Sequence, residues 1–142
     1  MQAVATGSVL VWLLLLSGYD IRQRRLPNWL TLPAALLLPA VAAGAGRGTA
    51  ALAGAAALTG VYLLVHLIAP AGLGAGDVKL AIALGALTGS FGADVWLLAA
   101  VSAPLLTGLW GLRLAMVGRG GTVPHGPSMC VASAVAVGLG ML

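Results

Sequence analysis

Aspartate supplies every side-chain carboxylate in this chain, and it does so at three positions only. Two of them, Asp20 in Ser17-Gly18-Tyr19-Asp20-Ile21-Arg22 and Asp77 in Gly74-Ala75-Gly76-Asp77-Val78-Lys79, fall where an apolar run meets a loop bearing Arg or Lys. A carboxylate at the centre of a membrane helix costs about 2.5–3.5 kcal/mol, and less near the interface. A single such residue reads equally well as a tolerated helix-end charge. Two at the same kind of boundary suggest a working pair. Carboxyls that share a site cannot both ionise cheaply, so they hold one proton between them and can act as general acid and general base.

The sequence around each aspartate is unusual for a helix boundary. Gly74 and Gly76 each cost up to ~1 kcal/mol of helix propensity, yet they give the backbone freedom and leave clearance for a second chain to approach Asp77. In a chain with 21 glycines the same tetrapeptide also fits a plain flexible loop. After Asp20, Arg22, Arg24 and Arg25 read as anchors of a loop outside the membrane. Pro27 pre-sets the backbone for entry into the next helix, and Asn28 offers a cap or a bond to a neighbouring loop.

Other reactive types carry less. His66 lies inside an apolar run and is expected to face the bundle interior with a structural hydrogen bond. His125 falls in a loop, either lining a substrate entrance or serving the loop itself. Cys130, alone in an apolar run, excludes an intramolecular disulfide and a Cys-based zinc site and reads as a small hydrophobe. No His, Asp and Glu residues have metal-ligand spacing, so no metal is expected. Ser128 lacks the partners of a serine triad. No cofactor is implied.

These residues need a scaffold, and composition indicates its kind. The chain is 61% hydrophobic and only 7% charged, against about 25% charged for soluble domains. The expected class is therefore an all-α membrane protein. Apolar segments run over Ala3–Tyr19, Trp29–Ala45, Thr49–Ala69, Val78–Ser90, Val95–Leu112 and Pro127–Leu142. They predict a bundle of six transmembrane helices forming one domain over residues 1–142, the fourth helix being the shortest. The first segment has no basic residues before it and no clear cleavage site, so it reads as a retained helix and not a removed leader.

With the N-terminus outside, the inner loops hold Arg22, Arg24, Arg25, Lys79, Arg113 and Arg119, and only Arg47 lies outside. That asymmetry matches the positive-inside rule. Both termini are then outside, Asp20 and Asp77 share the cytoplasmic face, and Asp94 falls on the outer side. Seven dispersed basic residues do not make a nucleic-acid surface. Trp29 and Trp96 fit interface anchors, and Gly85 and Gly89 form a G-x-x-x-G that seats the fourth helix against a neighbour.

Asp20 followed after five residues by Leu26-Pro27-Asn28, then Gly74-Ala75-Gly76-Asp77-Val78-Lys79-Leu80, then Val123-Pro124-His125-Gly126-Pro127, resembles the type IV prepilin peptidase family. The three motifs stand in the family's order and span essentially the whole chain. The resemblance implies an aspartic endopeptidase that removes the basic leader of pilin-like precursors at the cytoplasmic membrane face. It makes Asp20 and Asp77 the catalytic pair and places Gly74, Gly76, Pro27, Asn28, Lys79, Gly126 and Pro127 along the substrate. The implied partners are the precursor and membrane lipid. Long family members add a cytoplasmic domain with paired cysteines and an N-methylating activity. This chain resembles instead the short, peptidase-only forms of tight-adherence (Flp) pili. His125 departs from a position that is often aromatic in the family.

Local electrostatics favour Asp77 as the base, because it opens a helix whose dipole stabilises an anion. Two other classes of function remain compatible with the residues alone. One is a small transporter or proton/cation pathway through Asp20 and Asp77, although such pathways place carboxylates nearer mid-membrane. The other is a non-catalytic membrane subunit of a pilus assembly system.

Overall fold

A computed structural model of the chain describes residues 2–71 and 73–142. Among them six helices form and no strand: α1 (Gln2–Gln23), α2 (Asn28–Gly44), α3 (Gly48–Ile68), α4 (Ala75–Gly89), α5 (Ala93–Met116) and α6 (Gly126–Gly140). The helix boundaries follow local chemistry. α1 runs past its apolar segment because nothing in Asp20-Ile21-Arg22-Gln23 breaks it. It stops at Arg24, whose φ of 54° is left-handed. Pro27, extended at φ −69° and ψ 139°, then turns the chain into α2. α4 likewise begins three residues before its apolar segment, so that Asp77 lies in its first turn.

Three helices, α1, α3 and α5, are long and apolar enough to cross a membrane. The other three are shorter, with 17 residues in α2 and 15 in each of α4 and α6. At 1.5 Å per residue, 15 residues reach only about 22 Å, short of the ~30 Å hydrocarbon core. Of the six transmembrane helices expected, three are thus long and apolar enough to cross. For α4 the shortfall has a structural counterpart, since nine of its fifteen residues are buried. It is the central element of the bundle, touching α2, α3, α5 and α6.

Burying a helix among four others requires small residues where backbones meet. Gly54 of α3 faces Gly85 and Gly89 of α4 so closely that a Cβ on Gly89 would stand 2.8 Å from the Ala50 carbonyl oxygen. A Cβ on Gly85 would stand 2.9 Å from the Ala55 Cα. The G-x-x-x-G of α4 is therefore seated on α3. Trp96 locks the same crossing from α5 by donating its indole N–H to the Gly54 carbonyl at 3.0 Å. It is a packing residue, and the interface-anchor expectation holds better for Trp29, which is 62% exposed. Around this centre α1, α3 and α5 turn Leu14, Leu64, Leu67, Leu105 and Leu109 outward. So much exposed apolar surface suits a lipid surround.

The bundle has two chemically distinct ends. Contacts of Asp20 with Gly126, of Asn28 with Lys79 and of Arg24 with Thr122 gather the end of α1, the starts of α2, α4 and α6, and the α5–α6 loop. At the opposite end Arg47 lies over the Phe91 ring, 5.6 Å from its centroid. Asp94, in the first turn of α5, belongs there too. The six cations expected on the inner side share the end that holds Asp20 and Asp77.

Candidate active site

Asp20 and Asp77 reach one cavity of about 340 Å³, lined by the Arg24–Asn28 loop, by Gly74, Ala75 and Gly76, and by Lys79. Asp20 comes from the last turns of α1, on the face that also buries Leu13 and Leu16. The spacing of 13, 16 and 20 keeps those residues on one helical stripe. Its carboxylate is 6% exposed and accepts the Gly126 backbone N–H on Oδ2 at 2.9 Å. Gly126 opens α6, so its N–H lacks an intrahelical acceptor and is available to the carboxylate. Only a glycine fits, because a Cβ at position 126 would collide with Asp20 Oδ2.

Asp77 is 9% exposed and occupies the third position of α4, after Ala75 and Gly76. Its backbone N–H donates to the Gly74 carbonyl at 3.1 Å. The carboxylate folds back over Gly74, where a Cβ would come within 3.7 Å of Oδ2. An anion in the first turn of a helix is favoured by the helix dipole. Gly76 packs against Leu26, at 3.3 Å from its Cβ to the position a glycine Cβ would take. That close approach draws the α1–α2 loop over the start of α4 and narrows the cavity. The two glycines act here as packing surfaces as much as sources of flexibility.

Lys79 and Asn28 are paired across the cavity wall. Lys79 Nζ donates to Asn28 Oδ1 at 3.0 Å, so Asn28 ties α2 to α4. The N-cap of α2 is Pro27, without a side-chain cap. Pro27, Asn28, Gly74, Gly76 and Lys79 all line the cavity. Gly126 and Pro127 do not: the first holds Asp20 and the second is buried at the start of α6. Arg24 and Arg25, read from sequence as topology anchors, do line it. Arg24 Nη1 also donates to the Thr122 carbonyl and hydroxyl. No local pattern marks this long-range bond in the sequence.

His125 is the larger surprise. It stands at the N-cap position of α6 and bridges two other helices, with Nε2 2.7 Å from Tyr62 Oη of α3 and Nδ1 2.6 Å from Thr107 Oγ1 of α5. Burial lowers its imidazole to about 4, because the charged form is disfavoured away from water. His66 meets its expected role, with Nδ1 2.6 Å from the Leu73 carbonyl oxygen. Among the described residues no group of three His, Cys, Asp or Glu is placed to hold a metal.

A helical protein with two buried carboxylates opening on one cavity has the site architecture of an aspartic hydrolase. The model of the type IV leader peptidase family matches residues 8–139, and the chain belongs to that family of aspartic peptidases. No curated protein and no solved structure matches the chain.

Proposed function

We propose that this protein is a membrane-embedded endopeptidase that removes the basic leader of pilin-like precursors at the cytoplasmic membrane face, with Asp20 and Asp77 as its catalytic pair. One observation carries the reading: two of the chain's three carboxylates are buried yet open on one cavity, in a chain that belongs to a leader peptidase family. The protein forms a single domain. It lies in the cell membrane, with the cation-rich end of the bundle inward as the positive-inside rule requires. The cavity is lined by backbone at Gly74 and Gly76, where an extended peptide can lie close.

The pair shares one proton and titrates as a unit. Burial raises both carboxyls, but the Gly126 N–H and Arg24 hold Asp20 back while the Asp20 charge helps push Asp77 up to about 6, so Asp77 carries the shared proton. Asp20, its anion held by the Gly126 N–H, is then the base that takes a proton from the attacking water, the reverse of what the α4 dipole alone favours. Asp77 donates its proton to the scissile carbonyl oxygen. The tetrahedral intermediate collapses as Asp20 passes the water proton to the leaving amine and Asp77 recovers a proton from the gem-diol, so the leader departs as a carboxylic acid and the pair is restored. In this scheme the N–H of Gly126 positions Asp20 and takes no part in proton transfer.

Co-expression with a pilin-like precursor and mass measurement of the precursor's N-terminus tests the assignment. Asp20→Asn and Asp77→Asn each leave the precursor full length while the protein still inserts, and Asp94→Asn processes it normally. Normal processing by either of the first two variants sinks the pair.

A further inference from the structure

His125 is half-buried, stands next to the residue whose N–H holds Asp20, and has no task in the reaction scheme. Its two ring nitrogens meet hydroxyls from different helices, Tyr62 of α3 and Thr107 of α5. Thr107 Oγ1 also lies 3.2 Å from the Ala103 carbonyl oxygen. One proton arrangement satisfies every group. Thr107 donates to Ala103, His125 Nδ1–H donates to Thr107, and Tyr62 O–H donates to Nε2. The ring is then neutral, in keeping with its burial. The residue after His125 supplies the N–H bound to Asp20.

We propose that His125 is a positioning residue, a brace between α3 and α5 that holds the start of α6 so that the Gly126 N–H fixes Asp20 opposite Asp77. Three features support it. The α6 N-cap makes no side-chain cap bond, so the His125 ring is left to bond across to other helices. Both bonds of the ring are short and run to helices that do not carry the aspartates. The Tyr62 and His125 rings also pack, with centroids 5.5 Å apart, which adds a second contact to the brace. Loss of either hydroxyl partner frees the ring to turn and loosens the Gly126 donor.

The proposal rests on the peptidase reading, and the test separates the two. The full chain in liposomes is assayed on a precursor peptide carrying a basic leader and an apolar helix. The variants are His125→Phe, Thr107→Val and the double variant, with Tyr62→Phe as a milder probe should His125→Phe fail to fold. Each single variant lowers kcat per folded molecule by about 10- to 100-fold, the size expected of a small misplacement of a catalytic group, with KM within about twofold. The double variant is no worse than the poorer single, because both cut one chain of bonds. Effects that multiply, or a fall in melting temperature with kcat per folded molecule unchanged, overturn the brace. An inactive wild-type protein would instead overturn the peptidase reading itself.

Discussion

At the scale of single residues, the site depends on one backbone N–H more than on any charged neighbour. Gly126 has no side chain to mark it as functional, but a methyl group there would occupy the space of the Asp20 carboxylate. Gly126→Ala is expected to lower the cleavage rate about 100-fold, as a displaced catalytic group does, while the precursor still binds. A peptide-cleavage assay at saturating substrate checks this. Alanine favours a helix start over glycine, so a loss of activity in this variant is not explained by a weaker α6. Asp20 was legible in the sequence as an acid out of place, and so was Asp77. The donor that orients Asp20 was not, because it comes from 106 residues further along the chain and a backbone N–H has no sequence signature.

Among the elements, α4 determines how the others are arranged. Its small residues let α3 come within backbone contact, and its first turn carries Asp77. The helix seating and one of the two proposed catalytic carboxylates are therefore built on one short helix. Gly85→Ala is expected to destabilise the protein by about 1–3 kcal/mol, the usual cost of overpacking, measured by thermal unfolding in detergent. Gly60→Ala on α3 has nothing within 4 Å of the new methyl and is expected to be neutral or stabilising by up to about 1 kcal/mol. Equal melting temperatures for the two variants would contradict the close α3–α4 crossing. The G-x-x-x-G pattern predicted a seated helix, but not which neighbour receives it. Gly54 is one glycine among several in α3, and only the crossing distinguishes it.

For the whole molecule, the separation of charge between the two ends bears on orientation. Six of the seven basic residues share the end that carries Asp20 and Asp77, and a membrane protein keeps such an end in the cytosol. A cysteine placed at Arg119 is then labelled by an impermeant maleimide only in inverted vesicles, and one placed at Asp94 only on intact cells. Cys130 is buried and does not confuse the readout. Labelling in the reverse pattern would put the catalytic end outside and defeat the leader-peptidase assignment as stated. Three helices fall short of a full span, and they do so differently. α4 is enclosed by protein, whereas α2 carries Pro33 and Pro39 within it.

The sequence by itself determined the all-helical class, the grouping of Asp20 and Asp77 at one end, and the family. These follow from local composition and spacing, since hydropathy, glycine content and the order of motifs need no partner to be read. Tertiary structure alone decided that both carboxylates open on one cavity, that Lys79 answers Asn28, that the Gly126 N–H reaches Asp20, and that His125 bridges α3 and α5. Each of those depends on helices meeting that are far apart in the chain. A hydrogen bond between distant residues is set by how helices cross, which is a property of the packed bundle and not of any segment of it.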